Sequence, residues 1–472
     1  MAIARRLEPS LESFFITFSA GAPVVRGQGY PVEYIASYDR PGAGTDLSWT
    51  YRARDRLRVM VGEIAPEVVV FDGTHPYERL LPALRSTGAP LVWCRRAMWR
   101  ADADTAPLHR THLFDAVLEP GELEPGADAG PTAPRRAEAN AVDPIVLLDR
   151  DDRLGRADAE RELGLEPGRR NVLVQLGQGQ GVREATARCL RRLAAIPGVQ
   201  AAALSSHLAA FDDVPEGVIG LESTYPIARY FAAFDAAVSA AGYNAFHELT
   251  AAAVPALFVP IERQTDDQAA RARAAEARGI GLAASGPDDP LLERRLDELL
   301  DPARHSELLA GLEALGDWGG ADQAARWLAG LAGGRPRAAG AANGPSSRVR
   351  LRRGWIFASS VPRTLGRVVS QRLRRPRTRV LVLALGLDPD RHERELERAI
   401  AGSGEAPERL LVVTDRLDFG SLLRAGVGFE QVPAEGERQA ELAGAPYAEF
   451  RDRRVELIRA RRPRPRRVVD LR

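Results

Sequence analysis

Three stretches in the middle of the chain join an apolar run, a small-residue turn and the start of a helical pattern, the arrangement in which α/β proteins gather their chemistry. The first is Leu176-Gly177-Gln178-Gly179-Gln180-Gly181, between the apolar run Asn171 to Leu176 and the helical run Glu184 to Leu193. Glycines there let the backbone approach a phosphate, and the helix start adds unpaired amides and a positive dipole end. A plain tight turn uses the same residues. Position 182 is Val and the segment Leu204 to Ser206 has no acidic residue for an NAD ribose, which disfavours a dinucleotide dehydrogenase. The second stretch is Ala241-Gly242-Tyr243-Asn244-Ala245-Phe246-His247-Glu248. Asn244 is of the type that caps a helix, and Glu248 offers a carboxylate to the diol of a ribose, although a glycine turn with ordinary capping reads the same way. His247-Glu248 also begins a zinc-protease motif, but the second histidine would fall at Ala251, so that reading ends there. The third is Phe258-Val259-Pro260-Ile261-Glu262-Arg263-Gln264-Thr265-Asp266-Asp267-Gln268, a strand, a polar loop and a helix start.

The elements that must position these residues follow a βαβ rhythm. Strand-like runs at Phe14 to Phe18, Val32 to Ser37, Val68 to Asp72, Pro90 to Cys94, Phe114 to Leu118 and Ile145 to Asp149 alternate with helical patterns. The rhythm restarts with Asn171 to Leu176, Gln200 to Ser205, Val218 to Leu221, Asp235 to Ala240, Ala256 to Pro260 and Gly281 to Ser285. Two Rossmann-like parallel sheets are the economical reading. The segment Ala2 to Leu7 reads as the end of a helix, so the first sheet is expected to lack its first strand and this helix to have little to pack against.

The 472 residues carry 65 basic and 64 acidic side chains, a net charge of +1, which gives no whole-chain argument for nucleic acid. Lysine is absent and all 65 basic residues are arginines, which excludes a Walker A loop, a kinase strand lysine and a pyridoxal Schiff base. Two cysteines, Cys94 and Cys189, make no disulfide framework and suit a reducing compartment. Residues 332–348 are rich in Gly, Pro, Ala and Ser, as linkers are, and thirteen arginines with no acidic residue lie between Arg335 and Arg379. Within that block Trp355-Ile356-Phe357 precedes Val361, Leu365, Val369 and Leu373 at helix-compatible spacing, predicting a basic amphipathic helix. Such a helix either packs on the protein body or lies on an anionic membrane surface. Strand-like Val380 to Leu385 and Leu410 to Thr414, separated by the helical run Arg391 to Ile400, predict a small third α/β module.

Taken together, the three stretches have the order and spacing of the C-terminal half of a GT-B glycosyltransferase, and over roughly 1–330 the chain resembles glycosyltransferase family 28. The resemblance implies two Rossmann-like domains facing a cleft, with an acceptor domain at 1–150 and a nucleotide-sugar donor domain at 151–331. A linker and Arg-rich segment at 332–379 and the module at 380–472 lie beyond it. It further implies that Gly177 and Gly179 lie in the Gly-rich loop at the cleft, and that Thr224 and Tyr225 sit beside the base of the nucleotide. Gly242, Tyr243 and Asn244 would form the turn near the diphosphate, Glu248 would hold the ribose hydroxyls, and Gln268 would contact the donor sugar. Asp267 stands where the family has a second glutamine.

The implied activity is transfer of a sugar, with N-acetylglucosamine as the family precedent, from a UDP-sugar to an acceptor hydroxyl. It is expected to be inverting and metal-independent, with the UDP-sugar as substrate and no cofactor. An epimerase or hydrolase of the same fold, and a non-catalytic nucleotide-sugar-binding or scaffold protein, are the rival readings. The family's first Gly-rich loop has no counterpart, so the acceptor base is sought elsewhere. Asp72 and His75 in Phe71-Asp72-Gly73-Thr74-His75 end a strand of the first sheet, where helix capping by Asp72 or Thr74 is the alternative. Arg95 and Arg96 follow the next strand and would meet an anionic or lipid-linked acceptor, or simply be solvated. The D-x-D pairs and the isolated His109 and His112 do not make a metal site. The expected location is cytoplasmic, with peripheral contact to the inner face of a membrane through residues 349–379 as the extended reading.

Overall fold

The computed structural model describes residues 1–38, 46–177, 179, 181–204, 214–221, 224–333, 353–359, 380–434, 446–459 and 465–471. They form a central unit of Met1–Arg6, Arg96–Thr105 and Leu118–Arg326, and a terminal unit of Leu7–Arg95, Ala106–Val117 and Trp327–Arg472.

The terminal unit begins with strands β1 (Leu11–Thr17), β2 (Val32–Tyr34), β3 (Val68–Asp72), β4 (Leu91–Cys94) and β5 (Ala116–Pro120). The last three residues of β5 pair in parallel with β6 (Asn140–Val142) and already belong to the central unit. The apolar run Ile145 to Asp149 is not a strand, contrary to expectation. Its backbone is taken by side chains: Ile145 N–H donates to the Tyr243 hydroxyl at 3.0 Å, and the Leu147 carbonyl accepts from Arg6 at 3.0 Å. A strand needs those groups for a ladder.

In the central unit, β7 (Arg170–Gln175), β8 (Val199–Leu204), β9 (Ile219–Leu221), β10 (Ala236–Ser239), β11 (Ala256–Phe258) and β12 (Leu282–Ala283) make a six-stranded sheet in the order β12-β11-β10-β7-β8-β9. Every pairing in it is parallel. The alternation of side chains covers both faces. Val172, Val174, Ala236 and Val238 pack with helices Val182–Ala194 and Leu292–Leu300, while Leu173, Ala237 and Phe258 pack with helices Tyr243–Ala251 and Gln268–Arg278. Helix Ala2–Arg5 is not an orphan: Met1 and Ala2 lie against the second of these clusters, and Arg6 donates to the Leu147 carbonyl.

The first sheet is completed from far along the chain. Strand β13 (Arg353–Ser359) lies between β1 and β3, parallel to both, giving the order β2-β1-β13-β3-β4-β5-β6. Seven positions of β13 are in register with β1 and five with β3. This is the place at which a doubly wound sheet reverses direction, and it is where the resemblance puts the absent first strand. The expectation of an incomplete sheet is therefore corrected. So is the placing of Trp355-Ile356-Phe357 at one end of a helix. The rest of that segment, residues 360–379, lies outside the described residues.

The C-terminal module also belongs to the terminal unit. Strands β14 (Val380–Ala384), β15 (Leu410–Thr414), β16 (Gly428–Gln431) and β17 (Arg467–Asp470) form an all-parallel sheet ordered β16-β15-β14-β17. It docks on the first sheet through buried charges. Arg454 Nη2 donates to Glu33 at 3.1 Å and Glu63 at 2.7 Å, and Arg56 donates to Glu430 at 2.7 Å and to the Gln431 carbonyl at 3.2 Å. Tyr34 packs beside them with its ring 5.1 Å from Phe419 and 5.4 Å from Phe429. Arg454 is 1% exposed and Glu33 is 3% exposed, so removing the guanidinium leaves a carboxylate buried with poorer compensation. Arg454→Met is expected to destabilise the terminal unit by about 3–5 kcal/mol in urea denaturation followed by tryptophan fluorescence. A change below about 1 kcal/mol, the range of solvated pairs, would contradict it.

Candidate functional site

In the central unit β7 has β8 on one side and β10 on the other, so the crevice at their carboxyl ends is the switch point at which open α/β sheets bind ligands. Gly177 and Gly179 follow β7. Gly177 has φ +75°, in the left-handed region that favours glycine, so a side chain there would strain the backbone, and a Cβ on Gly179 would lie 2.8 Å from Ile261 Cγ2, so a side chain there would have to displace it. Gly181, at φ +71°, then starts helix Val182–Ala194. Gln178 and Gln180 of the same turn lie outside the described residues.

Gly242, Tyr243 and Asn244 follow β10. Gly242 is the N-cap of helix Tyr243–Ala251 and no side chain caps it, so Asn244 does not serve as the cap. It is exposed, inside the first turn, and its Oδ1 accepts from Arg96 at 3.3 Å. Arg96 also lies 3.9 Å from the centre of the Tyr243 ring. This puts a guanidinium beside a helix N-terminus, a favourable place for an anion. Tyr243 has an architectural task as well: its hydroxyl accepts from Ile145 N–H and donates to the Gly121 carbonyl at 2.9 Å.

Glu248 lies further along that helix, partly buried, where burial pushes its carboxyl up to about 7. The Leu147 N–H and the charges of Arg153 and Arg96 oppose the shift. Tyr225 is its neighbour, with a phenol pushed up to about 12 by partial burial and by the Glu248 charge, and about half of the Tyr225 surface is exposed. The Thr224 hydroxyl beside it is buried and has no protein hydrogen-bond partner among the described residues. A carboxylate, a half-open aromatic ring and an unsatisfied hydroxyl are thus close together.

Gln268 is buried at the start of helix Gln268–Arg278. Its Oε1 accepts from Ile261 N–H at 2.9 Å, and its Nε2 faces Gly242, where a Cβ would stand 3.5 Å away. Asp267 caps the helix by accepting from Ala270 N–H at 2.9 Å. The residue that departs from the family pattern therefore has a local role of its own.

His247 is excluded as an acid or base. It is fully buried, and burial together with the Arg271 charge pushes it well below its ordinary value. As the neutral ring its Nδ1–H donates to the Tyr243 carbonyl at 2.8 Å and its Nε2 accepts from Leu123 N–H at 3.3 Å. Arg271 holds Glu122 with two bonds of 2.9 and 2.7 Å and reaches the Ala241 carbonyl at 2.7 Å, pinning the end of the turn that carries Gly242. The structural roles of Glu122, Arg153 and Arg271 were missed from sequence, because they arise from pairings across many residues with no local pattern.

The acceptor candidates lie in the terminal unit. Asp72 ends β3, in register with Cys94 of β4 and Ser359 of β13. His75 Nδ1 is 2.9 Å from the Thr74 hydroxyl, and Trp93 Nε1 donates to the Gly73 carbonyl at 2.7 Å. Neither Asp72 nor Thr74 caps a helix, since the next one, Leu81–Leu84, starts at Leu80. Arg95 is fully buried, 5.8 Å from the Trp93 ring, and is not a solvated arginine. Among the described residues no group of three or more His, Cys, Asp or Glu is placed to hold a metal ion, and no helix is long and apolar enough to cross a membrane.

No family model matches the chain. Among known sequences it is similar to the UDP-N-acetylglucosamine--N-acetylmuramyl-(pentapeptide) pyrophosphoryl-undecaprenol N-acetylglucosamine transferase of Clavibacter sepedonicus, 29% identical over 331 residues, covering 66% of this chain and 86% of that one. The transferase of the same name from Nocardia farcinica (strain IFM 10152) is 28% identical over 357 residues, covering 68% and 88%. Among solved structures, MurG of Acinetobacter baumannii aligns with 14% identity over 67% of this chain and 99% of that one, at a TM-score of 0.41. SnogD from Streptomyces nogalater, a glycosyltransferase, aligns with 16% identity over 68% and 99%, at a TM-score of 0.42.

Proposed function

We propose that this chain, a relative of the GT-B glycosyltransferases of family 28, transfers a sugar from a UDP-activated donor to an acceptor hydroxyl, with N-acetylglucosamine as the sugar. The observation that carries the reading is the crevice between β7 and β10. There the glycine turn, the first turn of helix Tyr243–Ala251 and the Glu248 carboxylate gather around one edge of the central sheet. In this reading Gly177 and Gly179 admit the donor close to the backbone. Tyr225 and Thr224 receive the base, and Glu248 accepts from both ribose hydroxyls. The helix N-terminus and Arg96 stabilise the diphosphate as it departs, so charge is met without a metal. Gln268 keeps its Nε2 for the sugar, its Oε1 being held by Ile261. Asp72 and His75 are the groups proposed to take the acceptor proton.

The relatives named above act on a lipid-linked diphosphate, and the basic block Arg335 to Arg379 supports a similar acceptor met at an anionic membrane surface. Full-length protein is then expected to co-sediment with anionic but not neutral vesicles at low salt. Replacing Arg363, Arg367, Arg372, Arg374 and Arg375 by glutamine should abolish the difference. Equal sedimentation with both kinds of vesicle would contradict a charge-driven contact, and none with either would argue for a soluble acceptor.

The test of the main reading is incubation with labelled UDP-sugars, scoring binding, hydrolysis and transfer separately. Transfer to a hydroxyl acceptor supports it. Release of free sugar alone would make the protein a hydrolase, and binding without turnover would make it a nucleotide-sugar-binding protein. A pH dependence accompanies it. Glu248 is protonated below about 7 and then loses acceptor capacity, so UDP affinity should rise about tenfold between about pH 6 and pH 8. Glu248→Gln, which carries no titrating group but leaves the nucleotide's own titration in place, should flatten that rise in calorimetry.

A further inference from the structure

The C-terminal module carries a cavity of about 470 Å³ that the transfer reaction does not use. It is lined by Gly386, Leu387 and Asp388 after β14, Asp415 after β15, and Tyr447 and Arg451 of helix Tyr447–Arg459. All the ladders of the module are parallel, and β14 has β15 on one side and β17 on the other. The cavity is therefore at the carboxyl ends of the strands, beside the place where the order reverses. Its volume is within the range of about 300–1,000 Å³ of small-molecule sites.

The walls select the ligand. Asp415, 9% exposed, directly follows the second strand of the module, and its Oδ2 accepts from Gly386 N–H at 2.6 Å, which aims the carboxylate and leaves Oδ1 for a further donor. Behind it the Thr414 hydroxyl is within hydrogen-bond distance of His392 Nε2, 3.1 Å, and accepts from Arg416 N–H at 3.1 Å, which ties the end of β15 to helix Pro389–Ala401. The Tyr447 hydroxyl donates to the Pro433 carbonyl at 3.1 Å, holding the ring in the wall. A phosphate is disfavoured: Asp388 and Asp415 repel it, and the helix after β14 begins with Pro389, which has no N–H. A bare cation meets the Arg451 guanidinium, which donates through Nε and Nη2 to Asp452 at 3.2 and 3.1 Å and has Nη1 left over for a ligand. What suits two carboxylates, one guanidinium and a phenol ring is an uncharged compound with neighbouring hydroxyls, which donate to Asp415 and accept from Arg451 while an apolar face lies on Tyr447.

We propose that the C-terminal module binds an uncharged polyol, a pyranose or the ribose of a nucleoside, through vicinal hydroxyls at Asp415 and Arg451. The test uses the full chain with excess UDP present to occupy the donor site. Saturation-transfer NMR and calorimetry are run with glucose, N-acetylglucosamine, uridine and adenosine, and with UMP and AMP as charged counterparts. One of the uncharged compounds is expected to bind with a millimolar or lower Kd. Asp415→Asn, which keeps an oxygen for Gly386 N–H, and Arg451→Gln at the partly exposed rim should each weaken it at least tenfold with the melting temperature unchanged. Glu248→Ala should leave it intact, which separates this site from the donor site whether or not UDP binds there. Absence of binding by all four uncharged compounds, unchanged affinity in both variants, or tighter binding of UMP or AMP than of the parent nucleosides would overturn the proposal.

Discussion

Ile356→Pro is expected to unfold the first sheet while leaving the central sheet folded. Position 356 is in register with Phe14 of β1 on one side and Val69 of β3 on the other, so β13 has no free edge there. Proline removes an N–H from the ladder and its ring disrupts the neighbouring pairing, which is why it is confined to edge strands and bulges. Loss of buried backbone bonds on this scale amounts to about 3 kcal/mol or more, a large fraction of the stability of an ordinary domain. In hydrogen exchange, the amides of β1 and β3 should lose protection while those of β7 and β10 keep it. Ile356→Val, which suits a strand, should behave as wild type. Retained protection in β1 and β3 of the proline variant would mean that β13 is dispensable and that the sheet closes in some other way.

Glu248→Ala is expected to weaken UDP binding about a hundredfold with the fold intact. A carboxylate that accepts from two ribose hydroxyls makes charge-assisted bonds worth about 1.5–3 kcal/mol each. Part of that is offset because the carboxyl, pushed up to about 7, is only half ionised near neutrality in the empty site. Removing a carboxyl that burial penalises should not lower the melting temperature, so a loss of affinity cannot be assigned to unfolding. Unchanged calorimetric affinity would remove Glu248 from the donor site, and with it the assignment of Tyr225 and Thr224 that rests on their being neighbours.

The central sheet was legible in the sequence because each part of it is specified locally. Runs such as Asn171 to Leu176 and Asp235 to Ala240 are apolar on both faces, as strands covered by helices must be, and the strands observed at Arg170–Gln175 and Ala236–Ser239 differ from them only at their ends. Glycine turns after those runs placed Gly177, Gly179 and Gly242 at strand ends without reference to any distant residue. What local pattern left open was partnership. Trp355-Ile356-Phe357 has the apolar character of a strand and the spacing to open a helix, and only pairing with β1 and β3 on both sides makes it a strand. Asn244 and Asp267 are equally good capping residues by type. The cap formed at Asp267, whereas helix Tyr243–Ala251 starts on Gly242 and Asn244 turns to Arg96, almost 150 positions earlier in the sequence. Likewise Ile145 to Asp149 had the composition of a strand and lost its ladder to Tyr243 and Arg6. The sequence by itself determined the parallel α/β class and the turns that hold the donor candidates. The tertiary structure alone decided that the first sheet is completed by residues 353–359, which charges are buried, and which polar side chains are already committed. Those outcomes depend on backbone and charged groups finding partners across hundreds of residues, and burial makes an unpartnered group too costly to leave to chance.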